Sequence, residues 1–238
     1  MRTQTEKRTR SGWPGMESIF GYGLRRVVLA VLPAALTVMV VAQNRVPSIT
    51  GNVRVDKLLS QMTLEEKVAL IRGASEDPAT NQGQAGYLTG VPRLGIPSIR
   101  MSDGPPGVLT RWPSQAETAT MGLAATFSVK DAEDNGTVIG REAKSLGIDV
   151  VLEPFINIDR DITFDRGYNT YGEDPVLTGA MGAGLIKGIQ RQGVMAQAKH
   201  YVAYDTGASN VRVDNQALHE IYVAPFVDAV NACLLYTS

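Results

Sequence analysis

The sequence predicts an α/β fold in which parallel strands are joined by crossover helices. Short apolar runs alternate with amphipathic helical segments from residue 96 onward, glycines end the helices, and polar clusters follow the apolar runs. A chain of 238 residues with 44% hydrophobic and 20% charged side chains can build a core, which excludes wholesale disorder.

The first regular segment is a helix that begins with a capping box. Thr63 can accept a hydrogen bond from the third helical amide, while Glu66 bonds back to the cap. Gly73 ends this helix, and the glycine-rich residues 82–95 lack periodicity and are predicted to form a loop. The apolar positions at helical spacing, which predict one apolar face, are Leu64, Val68 and Ile71.

Strands and helices then alternate. Ser128 caps a helix that ends near Leu146, Asp174 followed by Pro175 opens another, and a last helix starts near Asn215. The predicted strands cover residues 96–102, 148–158 and 194–198. The apolar helix positions are Val138, Ile139, Ala143 and Leu146, then Leu177, Met181, Leu185 and Ile189, then Leu218, Ile221, Tyr222 and Phe226.

Polar residues follow each predicted strand, where parallel sheets gather their functional groups. Asp103 precedes a Gly-Pro-Pro-Gly turn, where its carboxylate can bind sugar hydroxyls or simply cap the turn. Arg166 lies in a charged loop that is typical of a solvated salt-bridge cluster and lacks the acidic spacing of an EF-hand. Lys199 and His200 reach one ligand together only where the strand breaks into a loop, and a structural role is the alternative.

The charge pattern separates the N-terminus from the rest of the chain. Residues 1–26 carry six basic and two acidic side chains, and the uncharged run Val27–Ala42 follows. A basic stretch, an apolar run and a small residue are typical of an export signal. The run is short for a membrane-spanning helix, and Pro33 interrupts it. Residues 1–42 are therefore predicted to direct export to the periplasm or the extracellular space, with an uncleaved membrane anchor as the alternative.

The composition also excludes several classes of function. A formal net charge of −1 argues against a nucleic-acid-binding protein, which normally carries a basic face. A single cysteine excludes a disulfide framework and every multi-cysteine metal site, and two histidines leave little for a histidine-rich centre. The sequence therefore predicts neither a cofactor nor a metal.

Four segments follow one another in a distinctive order: VDKLLSQMTLEEKVALI, MSDGPPGV, RDITFDRGYNTYGEDP and AQAKHYVAYD. Over about residues 53 to 230, this order resembles glycoside hydrolase family 3, which includes exported β-glucosidases and β-xylosidases. The resemblance implies a TIM-type (β/α)8 barrel. Because such a barrel takes about 250 residues, more than follow Ala42, we expect residues 43–231 to form an incomplete one.

The resemblance also implies a sugar site. In that family, the aspartate of the DGP turn, the arginine before GEDP and the lysine–histidine pair hold the sugar at subsite −1. The matching positions are Asp103, Arg166, Lys199 and His200. The match is partial, because Asp165 stands where the family often has glycine and Leu109 where some members have arginine. The family's Asn-Arg pair reads Asn210-Val211-Arg212 here.

The reacting groups of the family are not recognisable in this sequence. Retaining glycosidases need two carboxyl groups on either side of the scissile bond. By resemblance, the nucleophile belongs to a Ser-Asp-Trp segment, which does not occur here, and the acid/base belongs to a second domain. We therefore expect no catalytic residue among these 238, and both groups beyond them.

The chain is thus predicted to be an N-terminal fragment of a β-glucosidase-like enzyme that acts on β-glycosides, and to be inactive by itself. Residues 232–238 break the family's continuation and are predicted to be an anomalous tail, with a genuine terminus as the alternative. The alternative function is that of an exported, non-catalytic sugar-binding α/β protein.

Overall fold

A computed structural model describes residues 48–77, 79–81, 83–206 and 210–232. Contacts divide the chain into two units, residues 1–61 and 62–238. In the first unit, helix α1 spans Val53–Gln61, and Asp56 accepts hydrogen bonds from the amide and hydroxyl of Thr50 (2.8 and 2.9 Å). The predicted export segment 1–42 and residues 233–238 of the predicted tail lie outside the described residues.

The second unit is an α/β structure, as predicted. Its strands form one sheet in the order β1-β2-β3-β4, in which β1 is antiparallel to β2 and the other pairs are parallel. The strands are β1 Gly86–Leu88, β2 Ile99–Asp103, β3 Val150–Leu152 and β4 Met195–Ala196. The helices are α2 Leu64–Arg72, α3 Thr120–Ala124, α4 Val129–Ser145, α5 Pro175–Gln190, α6 Asn215–Ala217 and α7 Ala224–Ala232. Single 3-10 turns occupy Pro92–Leu94 and Gly167–Asn169, and a π-helical turn, Leu218–Tyr222, joins α6 to α7.

Several predicted boundaries are wrong. The predicted loop 82–95 contains β1, and the predicted strand 148–158 keeps ladder geometry only over β3. Pro154 lacks an amide hydrogen and so cannot donate to a ladder, and beyond it Phe155 forms a single parallel bridge with Lys199. The strand predicted over 194–198 is two residues long, and the last predicted helix is broken by its π-helical turn.

The predicted helix caps are confirmed. Thr63 and Glu66 form the capping box of α2, and Gly73 ends that helix with a positive φ of 74°. The Ser128 hydroxyl accepts from the Asp131 amide (3.2 Å), and the Asp174 carboxylate accepts from the first amides of α5. The apolar positions of α2 are exposed, however, so this face is not part of the core: Leu64 by 71%, Val68 by 48% and Ile71 by 87%.

Helices α4 and α5 pack backbone against backbone. A Cβ atom on Gly184 would lie 2.8 Å from the Val129 carbonyl oxygen, and one on Gly140 would lie 2.9 Å from that of Ile189. A Cβ on Gly188 would overlap the Glu133 carbonyl. The buried side chains around this contact include Ala132, Ile139, Ala143, Met181, Leu185, Ile186 and Ile189, so the predicted stripe of α5 does face the core.

The sheet brings the predicted polar residues together at the carboxyl ends of its parallel strands. The parallel register places Asp103 opposite Leu152, the residue before Glu153. The bridge from Phe155 to Lys199 brings Lys199 to the same end of the sheet. No helix in the described ranges is long and apolar enough to cross a membrane.

Candidate functional site

Asp103 and Lys199 form an ion pair between the ends of two strands. The residues are 96 positions apart in sequence, and the Lys199 ammonium donates to Oδ1 of Asp103. The lysine side chain is 11% exposed, whereas that of Asp103 is 50% exposed. Because the Gly104 amide also donates to Oδ1 (3.0 Å), both bonds end on the same carboxylate oxygen. The pair therefore presents a half-exposed carboxylate whose Oδ2 takes part in neither bond.

The turn after Asp103 is closed by its own backbone. The Leu109 amide donates to the Asp103 carbonyl oxygen (3.1 Å), and the buried Ser102 hydroxyl donates to the Leu109 carbonyl oxygen (2.9 Å). Partial burial opposes ionisation of Asp103, but the Lys199 ammonium, the Gly104 amide and the Arg166 guanidinium outweigh it and lower its pKa. Asp103 is therefore a carboxylate at neutral pH.

The Lys199-His200 segment is held by a buried asparagine. Asn157, 2% exposed, accepts from the His200 amide (2.6 Å) and donates to the His200 carbonyl oxygen (2.8 Å). The Ile156 amide donates to the Lys199 carbonyl oxygen and the Lys199 amide to that of Pro154, both at 2.9 Å. The segment is thus outside β4 but fixed from both sides of its backbone, which lets two consecutive side chains serve one site.

His200 is a neutral imidazole in this setting. Its ring meets Phe155 edge to face, with centroids 4.8 Å apart, and Tyr204 at 4.9 Å. Burial, together with the charges of Lys199 and Arg166, lowers the pKa of His200 to about 4, although Asp103 opposes this. A neutral ring carries one N–H donor and one acceptor nitrogen, so His200 can bind a hydroxyl group in either direction.

The Arg166 guanidinium lies over the ring of Phe155, the residue that also contacts His200. The guanidinium carbon of Arg166 is 5.0 Å from the centroid of the Phe155 ring, and its Nε and Nη2 both donate to Oδ1 of Asn169 at 3.3 Å. Asn169 in turn donates to the Pro105 carbonyl oxygen (3.2 Å), which ties the Arg166 loop to the turn after Asp103. The structure therefore brings all four sequence-predicted site residues into one cluster, since Arg166 also contributes to the pKa values of Asp103 and His200.

The cluster is suited to a neutral polyhydroxylated ligand. A carboxylate beside an ammonium and a guanidinium offers acceptors and donors for adjacent hydroxyl groups, and charged partners give the stronger hydrogen bonds. Within the described residues, no group of three histidine, cysteine, aspartate or glutamate side chains is placed to hold a metal ion.

Sequence reasoning missed the residues that support the site. Phe155, fully buried, contacts both His200 and Arg166, while Asn157 and Asn169 fix the two loops. Glu153, 1% exposed, lies beneath the turn after Asp103. For Glu153, Phe155 and Asn157, the signal in the sequence is the segment 153–158, where polar and aromatic residues interrupt an otherwise apolar strand. Asn169 lies outside this segment and has no such signal.

Comparisons with known proteins agree with one another. A family model described as "Glycosyl hydrolase family 3 N terminal domain" matches residues 40–236. "Probable beta-glucosidase I" of Neosartorya fischeri is 37% identical over 188 residues, which make up 75% of this chain and 21% of the relative. "Beta-glucosidase" of Rhizobium radiobacter is 37% identical over 186 residues, 74% of this chain and 22% of that protein. The chain thus spans about a fifth of the length of the curated relatives it matches.

Two solved structures extend this likeness to the fold. DesR, a β-glucosidase from Streptomyces venezuelae in complex with D-glucose, matches with a TM-score of 0.71 and 38% identity. That match covers 76% of this chain and 24% of DesR. β-Glucosidase 3B from Thermotoga neapolitana in complex with glucose matches with a TM-score of 0.67 and 36% identity, over 74% of this chain and 27% of that protein.

Proposed function

This chain belongs to glycosyl hydrolase family 3, and we propose that it carries the sugar-binding part of a β-glucosidase-like enzyme. The observation that carries the proposal is the Asp103–Lys199 pair, a half-exposed carboxylate held by a buried lysine where the parallel strands of the sheet end. The predicted fold class is confirmed, because the structural neighbours are family members whose N-terminal domain is a TIM barrel.

We assign four side chains to the sugar. The Asp103 carboxylate accepts from two adjacent hydroxyl groups, while Lys199 and Arg166 donate to hydroxyl oxygens on either side. His200 contributes a neutral ring nitrogen at the same edge. Carboxylates that bind sugar hydroxyls act most strongly when the ring distorts toward the oxocarbenium-like transition state, so these contacts would favour turnover as well as binding.

The reacting carboxylates are proposed to lie outside this sequence. Two carboxyl groups of the described site have other roles: Asp103 is paired with Lys199 and assigned to the sugar hydroxyls, and Glu153 is buried to 1% exposure. Neither is placed to protonate a leaving group or attack a sugar carbon. Export through residues 1–42, and hence a periplasmic or extracellular site of action, likewise remains a proposal that rests on the sequence pattern.

A chimeric enzyme tests this function. Residues 48–232 would replace the matching segment of DesR, and hydrolysis of an aryl β-glucoside would be measured with and without Asp103→Ala. We expect the chimera to turn over and Asp103→Ala to lower kcat/KM by about 100-fold, equivalent to about 2.7 kcal/mol of transition-state stabilisation.

Asp134→Ala is the matched control, because Asp134 also pairs with a lysine but lies exposed on α4. Circular dichroism confirms that each variant is folded. A folded Asp103→Ala chimera within threefold of its parent would reduce Asp103 to a turn residue. If the 238-residue chain binds glucose but the chimera stays inactive, the non-catalytic sugar-binding alternative is favoured instead.

A further inference from the structure

Glu153 is an ionisable residue buried directly beneath the sugar-facing turn. It follows β3, is 1% exposed, and its carboxyl group accepts a hydrogen bond from the Gly107 amide. A Cβ atom on Gly104 would lie 2.9 Å from Cδ of Glu153 and 3.1 Å from its Oε2, so only glycine fits above it. Among the described residues, Oε1 of Glu153 has no hydrogen-bond partner.

The contacts form a continuous path from Glu153 to the proposed sugar ligand. Glu153 packs against Gly104, whose amide donates to Oδ1 of Asp103 (3.0 Å). At the other end of the turn, Glu153 meets the Gly107 amide, and the Glu117 side chain also packs against Gly107, 3.3 Å from where a Cβ of that glycine would lie. Two acidic side chains therefore contact the turn 104–107.

We propose that Glu153 is a positioning residue, which holds the turn 104–107 from inside the sheet and so fixes the direction in which Asp103 meets the sugar. This inference rests on the proposed function, since it assigns Glu153 to the same site. Glu153 touches no ligand itself. It acts through Gly104 and Gly107, the two residues whose backbone it contacts.

Protonation of Glu153 would then control the turn. Burial raises its pKa to about 8; the nearby charges of Glu117 and Asp103 act in the same direction, and the Gly107 amide and Lys199 oppose them. Tyr171 is the fourth titratable group that faces Glu153, and burial raises its pKa as well. At neutral pH Glu153 is therefore a neutral acid. Above its pKa it becomes a buried anion beside two other carboxylates, and we expect the turn to shift and sugar binding to weaken.

The first test needs no sugar. In the 15N-labelled 238-residue chain, the Gly104 amide resonance is followed as the pH is raised. We expect it to move with a midpoint near pH 8, because its neighbour ionises there, and Glu153→Gln to abolish the movement. A Gly104 amide that does not respond in this range would overturn the inference.

The second test links the turn to the sugar. Glucose is titrated into the chain about one pH unit below and above the pKa of Glu153. We expect its dissociation constant to rise about tenfold, or about 1.4 kcal/mol, in the parent chain. In Glu153→Gln, which keeps the shape and retains Lys199 and Tyr171, we expect less than a twofold rise. Glu153→Ala, which leaves the turn unsupported, should bind glucose weakly at both pH values.

The outcomes separate this inference from the proposed function. If the parent chain does not bind glucose at either pH, the sugar-binding role fails. The pH response of the Gly104 amide resonance then decides by itself whether Glu153 controls the turn. If glucose binds but Glu153→Gln loses affinity with pH as the parent does, the function stands and the positioning role is wrong.

Discussion

The α4–α5 helix layer and the strand ends of the sheet are held in place by different kinds of contact. In the helix layer, glycines bring two backbones into direct contact, and no side chain intervenes at Gly136 or Gly188. At the strand ends, side chains make the contacts: the Lys199 ammonium donates to Asp103 across the sheet, and Asn157 accepts from the backbone amide of His200. One region depends on the absence of side chains and the other on their polar atoms.

This difference separates stability from function. A close backbone contact cannot yield without moving a helix, so changes there should affect folding first. At the strand ends, the Asp103 side chain is 50% exposed, so changes to Asp103 should affect ligand binding with less effect on folding.

The largest effect is expected in the helix layer. In Gly188→Val, the new side chain meets the Glu133 carbonyl and the Thr137 amide, which are backbone atoms that cannot rotate away. We expect a loss of about 3 kcal/mol or more in the free energy of unfolding, measured by urea denaturation.

Gly122→Ala is the control for Gly188→Val, because among the described residues beyond its own helix backbone the new Cβ would meet only the Thr118 methyl, at 4.0 Å. Alanine should stabilise α3 slightly there, by about 0.5–1 kcal/mol. Equal effects of the two substitutions would mean that the helix contact is not the cause.

An intermediate effect is expected from Glu153. Its pKa is raised to about 8 by burial, so the folded chain holds a proton that the unfolded chain releases at a lower pH. The stability of the parent should therefore fall as the pH rises toward 8, by about 1.4 kcal/mol per pH unit relative to Glu153→Gln. Unfolding curves of both chains across this range measure the slope, and parallel pH profiles would show that Glu153 does not bury a proton.

The smallest effect is expected at the exposed pair of Lys130 and Asp134. Their Nζ and Oδ2 atoms are 2.5 Å apart on α4, but the side chains are 79% and 62% exposed. Such a pair contributes about 0.3–0.5 kcal/mol, so Lys130→Ala should hardly change the urea midpoint and should lose even that effect in high salt. If the free energy of unfolding fell by more than 1 kcal/mol, exposure would not distinguish the Lys130–Asp134 pair from the Lys199–Asp103 pair.

The sequence predicted local features well because their causes are local. The capping box at Thr63, the Ser128 cap and the Asp174 cap each depend on residues within three positions. The apolar face of α5 was also predictable, because hydrophobic residues that recur every 3.6 positions show which face is apolar without showing what packs against it. The apolar face of α2 followed the same pattern yet is exposed, because periodicity does not show what packs against a face.

The strands and the supporting residues depended on distant contacts. Asn157 bonds to His200, 43 positions away, and Asn169 bonds to Pro105, 64 positions away. No pattern near either residue encodes its partner. The overlong strand prediction at 148–158 has the same origin, since apolar residues such as Phe155 and Ile158 are buried there without a ladder. The positions of Asp103 and Lys199 at strand ends could be predicted, but not the bond between them.

Calorimetric titration of glucose into the 238-residue chain measures whether Asp103, at the strand ends, binds sugar. Three proteins suffice: the parent, Asp103→Asn and Asp134→Asn, which removes the charge of the exposed pair. We expect saturable binding by the parent and by Asp134→Asn, with at least about a tenfold loss for Asp103→Asn, the size of one charge-assisted hydrogen bond. Equal affinities of the three folded proteins for glucose, or no binding by the parent, would contradict the account.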